Sequence, residues 1–313
     1  MLIKLRSLSP FDLYKISRQS LYVQGLDTSR LLTRGEPFNF RNLMRQVSPS
    51  VDLAAVIWDE IESETTFGQI EKNEYSDYAQ MSYLGGLDQP ESRVISGILE
   101  ELAVTAGEWN AFGILAELPE NSPLFEGFRI AGFSIWSRQQ VYLFDIAETA
   151  CKNTSWQPYS SQDLIKLKLL HKRIVPLFVQ PMVPVGRRAE NGLVAFSEKG
   201  ELFAYAELYY GPRGVWTQPY ISPEADIPVL LGQLCVAISN PNRLPIYLCA
   251  RSFQPSISVA VEGLGLRLIG AQTLLVKHLV LRNKVEQSSL QKIFESGSIE
   301  GSLPISNIKS KPH

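Results

Sequence analysis

The sequence predicts an α/β protein built as two copies of one architecture. Gly113 to Leu143 (GILAELPENSPLFEGFRIAGFSIWSRQQVYL) reads as a buried strand, a short helix, a Gly-Phe break and a long alternating strand. The same order returns from Leu244 to Leu281 as strand, short helix, glycine and long strand. The length of 313 residues fits two domains of roughly 150 residues each.

Leu2 to Arg6 alternates as a strand. Ser9 as N-cap and Pro10 at the first helical position then open a helix carrying Leu13, Ile16 and Leu21. A second helical region surrounds Asn42 to Val47, and Val51 to Trp58, Thr65 to Ile70 and Tyr78 to Leu84 follow as a meander. Val94, Ile95, Ile98, Leu99, Leu102 and Ala106 mark one face of a helix that Gly107 stops, and Phe112 to Leu118 is the next strand.

The second half replays this order. Trp156 to Tyr159 is a short strand, Ser161 to Lys172 a helix, and a stretch holding Pro176, Pro181 and Pro184 is irregular. Leu193 to Phe196, Glu201 to Tyr210 and Val215 to Tyr220 form a second meander, followed by a helix from Ile227 to Ile238. The strand Leu244 to Ala250, the short helix Ser256 to Glu262 and the strand Leu266 to Leu281 complete it. A boundary near Ala147 to Trp156 gives domains 1–148 and 156–282, and the Ser- and Lys-rich residues 283–313 read as a mobile tail.

Thirty Lys and Arg against 32 Asp and Glu leave a net charge of -2, which offers no basic footprint for nucleic acid. Cys151, Cys235 and Cys249 are an odd number without metal spacing and fit reduced thiols in the cytoplasm; no metal is expected. The start, MLIKLRSLSPFDLYKI, lacks the apolar core of a signal peptide, and the Ile227 to Ile238 run is too short to span a bilayer, so no membrane association is expected. The sequence carries no signal for oligomeric state.

Asn121, Phe128, Gly132 and Phe133 fall on the spacing N-x-x-A-x-x-x-Y-x-x-x-G-F. In this the chain resembles the GNAT superfamily of N-acetyltransferases. The resemblance implies two tandem acetyltransferase-like domains, each a mixed, mainly antiparallel sheet flanked by helices. It also implies transfer of an acetyl group from acetyl-CoA to an amine, on a small molecule or a peptide, with at most one active copy. By the same resemblance Glu60 or Glu62 is the general base, and Leu84, Gln89, Ser92, Arg93, Val94, Asn121 and Phe128 hold the cofactor.

The chain departs from the family where acyl-CoA chemistry is most demanding. Family members hold the pyrophosphate with a Q/R-x-x-G-x-G/A turn, whose glycines let backbone N–H groups approach the anion. Aligned on Gln89, the turn GGLDQPESRVISG puts Ser92 and Val94 at the glycine positions, Pro90 lacks an N–H, and Asp88 and Glu91 bring negative charge. The second copy, YISPEADIPVLL, reads as an ordinary helix start, with Ser222 as N-cap, Pro223 at the first position, and Glu224 and Asp226 in the first turn. Phe128 and Val261 stand where the family's proton-donating tyrosine would be, and neither can donate. The acids Glu64, Glu71, Glu74, Asp77 and Glu207 read as solvated strand edges, and Tyr205, Tyr209, Tyr210, Trp216 and Tyr220 as cross-strand core. Two readings stand: an acetyltransferase, or a non-catalytic protein that binds a small ligand or a protein partner in the cleft between splayed strands.

Overall fold

The computed structural model describes residues 4–7, 23–35, 52–59, 66–73, 76–86, 91–144, 154–185 and 192–279. The elements, in chain order, are β1 (Lys4–Ser7), β2 (Val23–Gly25), α1 (Thr28–Arg34), β3 (Asp52–Asp59), β4 (Thr66–Lys72), β5 (Tyr78–Gly85), α2 (Ser92–Glu108), β6 (Gly113–Pro119), α3 (Phe125–Ile130) and β7 (Ser134–Phe144). They continue as β8 (Trp156–Pro158), α4 (Leu164–Ile174), β9 (Leu193–Phe196), β10 (Leu202–Gly211), β11 (Gly214–Ile221), α5 (Ile227–Ala237), β12 (Ile246–Arg251), α6 (Pro255–Gly263) and β13 (Arg267–His278). The helices expected from Ser9 and around Asn42, and the tail 283–313, lie outside the described residues.

The strands form one mixed sheet in the order β1-β3-β4-β5-β6-β13-β7-β12-β11-β10-β9-β8, with β2 attached to β5. Most pairs are antiparallel; β5–β6 and β11–β12 are parallel. The sheets of the two halves are therefore continuous, and they are joined by exchange. The long strand β13 of the second half lies between β6 and β7 of the first, while β7 lies between β13 and β12 of the second. Equivalent registers recur on both sides: Pro119 pairs with Gln272 as Arg251 pairs with Gln139, and Ala116 with Leu275 as Leu248 with Tyr142.

Matching glycines set the exchange up. Gly132 and Gly265, directly after α3 and α6, take φ of +82° and +71°, where a side chain is strained. The following residues close the same turn: Phe133 N donates to the Phe128 carbonyl and Leu266 N to that of Val261. Each helix is thus stopped and the chain returned into a strand long enough to reach the other half.

Two apolar cores lie on the helix side of the sheet. In the first half Ile95, Ile98, Leu99 and Leu102 of α2, spaced at three and four residues, pack with Phe128 and Phe133 against Ile114, Ala116 and Leu118 of β6. In the second, Leu230, Leu231 and Leu234 of α5 and Ile257 and Val261 of α6 pack against Leu248 and Ala250 of β12. On the opposite face Leu167 and Leu170 of α4 cover Val194, Tyr205 and Tyr220. Helix α1 also crosses from the first half onto this face. Leu32 joins Val141, Trp216 and Cys249, and Arg213 N donates to the Thr33 carbonyl at 2.9 Å.

Candidate functional site

Each half contains a pair of parallel strands that meet and then part. β5 and β6 pair at Tyr78–Gly113, Ala79–Ile114 and Gln80–Leu115, and β11 and β12 at Val215–Ile246, Trp216–Tyr247 and Thr217–Leu248. In the first half an extra residue, Ser82, bulges between Met81 and Tyr83, which pair with Ile70 and Gln69 of β4. In the second, Pro219 lies beyond the last pair, where its missing N–H costs no ladder bond. Parted strands present unpaired backbone N–H and C=O groups, and buried groups of this kind must find partners.

In both halves those partners come from the chain itself. In the first, β2 pairs with β5 through Val23–Gly85, Gln24–Leu84 and Gly25–Tyr83, and Leu26 completes the filling. Leu26 N donates to the Ser82 carbonyl at 3.0 Å, while the Leu26 carbonyl accepts from Glu117 N at 3.1 Å and from Gln80 Nε2 at 3.0 Å. Leu26 is fully buried and bridges the two strands through its main chain. In the second half the side chain of Gln254 does the equivalent. Its Oε1 accepts from Ile221 N at 3.1 Å, its Nε2 donates to the Pro219 carbonyl at 3.0 Å, and its own N–H donates to the Arg251 carbonyl at 2.9 Å.

A polar layer fills the middle of the sheet on the face opposite α2, α3, α5 and α6. Alternation requires this placement, since Glu117 lies between the core residues Ala116 and Leu118, and Cys249 and Arg251 flank the core residue Ala250. Glu117 Oε2 accepts from Thr28 N at 2.9 Å and from Gln139 Nε2 at 3.1 Å. Gln139 Nε2 also donates to Gln272 Oε1, Gln272 Nε2 donates to Thr28 Oγ1, and the Cys249 thiol donates to Gln139 Oε1 at 3.2 Å. Arg251 Nη2 donates to Gln218 Oε1 at 3.2 Å, and Gln218 Nε2 donates to the Tyr220 hydroxyl at 2.7 Å. The guanidinium carbon of Arg251 lies 5.3 Å from the centre of the Trp136 ring.

The electrostatics follow from burial. Asp27 accepts from Arg30 N and the Ser29 hydroxyl as the N-cap of α1, yet loss of solvent raises its pKa above the ordinary carboxylate value. Burial raises Glu117 likewise, and the Asp27 charge pushes it further. The Cys249 thiol is pushed up to about 12 by burial and is a neutral donor at pH 7. Burial lowers the pKa of His171, on α4 beside Tyr220, which favours the neutral ring.

No protein-family model matches the sequence, and no curated protein matches it significantly. Solved structures do. A GCN5-related N-acetyltransferase from Sphaerobacter thermophilus matches 88% of this chain and 95% of its own, with a TM-score of 0.55 at 9% identity. A tandem GNAT protein from the clavulanic acid biosynthesis pathway matches 88% of this chain and 98% of its own, with a TM-score of 0.52 at 10% identity. The fold is that of the GNAT N-acetyltransferases. A functionally unknown protein from Staphylococcus epidermidis shares the arrangement over 65% of this chain and 85% of its own, with a TM-score of 0.50 at 14% identity.

Within this GNAT fold the structure describes six of the nine residues named from sequence, and Val94 packs against the core that holds Leu84 and Phe128. Leu84 and Phe128 are fully buried in the core around α2. Ser92, Arg93 and Val94 form the first turn of α2, and Asn121 is exposed in the turn after β6. Glu60, Glu62 and Gln89 lie outside the described residues. The helix start of the second half needs one correction. α5 begins at Ile227, so its N-cap is Asp226, whose Oδ1 accepts from Val229 N at 3.2 Å, and the helical proline is Pro228. Ser222 lies outside the helix, where its hydroxyl accepts from Arg173 Nη2 at 2.8 Å and donates to Glu224.

These features fit an acyl-CoA poorly. The pantetheine arm is an extended chain with amides, and it would need the strand edges that Leu26 and Gln254 already use. At α5 the Asp226 carboxylate and the N–H-free Pro228 occupy the place where a pyrophosphate needs donors. Among the described residues no group of three or more His, Cys, Asp or Glu is placed to hold a metal, and no helix is long and apolar enough to cross a membrane.

Sequence reasoning missed Leu26, Glu117, Gln139, Arg251, Gln254 and Gln272. One signal was present: Gln139 and Gln272 stand the same number of residues apart as Gly132 and Gly265, since 272 - 139 = 265 - 132 = 133.

Proposed function

We propose that this protein keeps the GNAT fold as a binding scaffold, with domains 1–148 and 156–282 as its two copies, and does not carry out acetyl transfer. The observation that carries this reading is the filling of both strand splays by the chain itself, through Leu26 and Gln254. Its ligand is a small molecule held by the polar layer around Glu117, Gln139 and Arg251, where charged and amide groups converge on one face of the sheet. The buried Cys249 thiol fits a reducing cytoplasm.

A second reading is favoured by the bulge at Ser82 and the parted parallel strands, which keep the outline of a ligand cleft. In it the first copy moves an acetyl group from acetyl-CoA to an amine, with Glu60 or Glu62 as base and Leu84, Gln89, Ser92, Arg93, Val94, Asn121 and Phe128 around the cofactor. That requires residues 23–27 to leave the splay. Incubating the full chain with acetyl-CoA and a panel of primary amines, with thiol release as the readout, separates the two. The scaffold reading expects release no faster than hydrolysis without protein, and sustained turnover on any amine would establish the acetyltransferase.

A further inference from the structure

α4 buries Leu167 and Leu170 with Tyr205 and Tyr220 and turns its other side to solvent. On that side Ile165 and Leu169, one turn apart, are 74% and 63% exposed. The exposed Lys168 and Lys172 flank this pair on one side of the helix, and the exposed Lys166 and Arg173 on the other. The turn that follows is held in place between Pro176 and Pro181. Val175 N donates to the His171 carbonyl at 2.8 Å, Val179 N to that of Pro176 at 2.8 Å, and Gln180 Nε2 to that of Val175 at 2.9 Å. Val175, Val179 and Met182 are buried, while Leu177 and Phe178 project at 82% and 68% exposure. Four of the five most exposed large apolar side chains among the described residues therefore fall between Ile165 and Phe178. Single exposed apolar residues are ordinary, but such a cluster marks a contact surface.

We propose that the outer side of α4 and the turn after it bind an anionic lipid surface. Charge sets the partner. From Leu164 to Ala189 the sequence holds six Lys or Arg and no Asp or Glu, in a chain whose net charge is -2. Glu224 lies 3.8 Å from Arg173 Nη2, but both side chains are more than half exposed, so solvent screens the pair. An unbroken run of cations suits a surface of uniform negative sign, and apolar residues that project, rather than line a groove, suit a medium that yields to them. Ile165, Leu169, Leu177 and Phe178 would enter the interface, with Lys168 and Lys172 at the level of the lipid phosphates and carboxylates. No helix among the described residues is long and apolar enough to cross a bilayer, and attachment of this kind needs none.

The full chain is sedimented with vesicles of phosphatidylcholine alone, and of phosphatidylcholine carrying about one-third phosphatidylserine, from about 0.05 to 0.5 M sodium chloride. Binding is expected to the anionic vesicles only, falling steeply with salt. Lys168→Gln with Lys172→Gln should weaken it by about fivefold for each charge removed, and Leu177→Ser with Phe178→Ser by about tenfold or more. Arg243→Gln with Arg267→Gln, exposed cations outside the stretch, should change it by less than about twofold. Every substituted side chain is exposed, so the thermal unfolding midpoints of all three variants should match that of the unmodified chain. No binding to anionic vesicles, equal binding to phosphatidylcholine, or an equal loss in the Arg243 and Arg267 variant would overturn the proposal. Vesicle indifference together with retention on an immobilised acidic amphipathic peptide of Glu and Leu would assign this side of α4 to a protein partner instead. Acetyl-CoA turnover, or its absence, bears on the strand splays alone and leaves this outcome unchanged.

Discussion

Gln139 of β7 and Gln272 of β13 are direct partners across the antiparallel pair that joins the halves, and their carboxamides are hydrogen-bonded to each other. They are also equivalent positions of the repeat, seven residues after Gly132 and Gly265 respectively (139 - 132 = 272 - 265 = 7). An approximate two-fold axis therefore passes between them, and each half completes its sheet with the other half's last strand. Residues 1–148 alone would leave β6 and β7 without the strand that separates them. That fragment is expected to be unfolded or to pair with itself, as judged by light scattering and amide dispersion, and a well-dispersed monomer would contradict the exchange.

Glu117→Gln should flatten the acid side of the stability profile. The folded pKa of Glu117 is raised above its ordinary value of 4.5, so its contribution is fully present below that value and is lost as pH rises through the folded pKa. An amide oxygen can still accept from Thr28 N and Gln139 Nε2, so the variant keeps the hydrogen bonds and loses the titration. Denaturant unfolding between pH 4 and neutrality should give a smaller fall in stability with rising pH than in the unmodified chain, and an unchanged slope would contradict the assignment.

Asp226→Ala should destabilise the chain by about 0.5–2 kcal/mol, because it removes the oxygen that takes the Val229 N–H at the start of α5. Ser222→Ala should cost less by urea unfolding, since its hydroxyl serves a half-exposed contact with Arg173 and Glu224 and caps nothing. The reverse ranking would restore Ser222 as the cap.

Phe128→Tyr places a hydroxyl in the core around α2, where Phe128 is fully buried with its ring 4.9 Å from that of Phe133. Without a partner the new hydroxyl should cost about 1–3 kcal/mol in the same unfolding experiment. No gain in thiol release is expected, and higher turnover would mean that the ring reaches a reacting group.

The strands, the meanders, α2 and the glycines that end α3 and α6 were legible because each writes a side-chain period or a special φ into the sequence. The filling of the splays was not. Leu26 acts through its main chain, which leaves no side-chain signature, and β2 with α1 is too short to show a period. Gln254 looks like any polar residue before a helical proline until β11 is placed beside it. The polar layer was hidden for another reason. Glu117 and Arg251 sit at alternate positions of apolar strands, where a charge normally marks a solvated face, and only α1 and the side chains of Trp136, Gln139 and Gln272 from the neighbouring β7 and β13 turn that face inward. A serine before a proline is a strong local signal for a cap at Ser222, yet the helix starts at Ile227 and Asp226 takes that place.

Calorimetric titration of the full chain with acetyl-CoA tests the closed splays most directly. With Leu26 bridging Ser82 and Glu117, and Gln254 bridging Ile221, Pro219 and Arg251, no saturable heat is expected up to about 1 mM, the upper end of the range in which enzymes meet their substrates. A saturable isotherm with one site per chain and micromolar affinity would contradict the account and show that one splay opens to admit the cofactor.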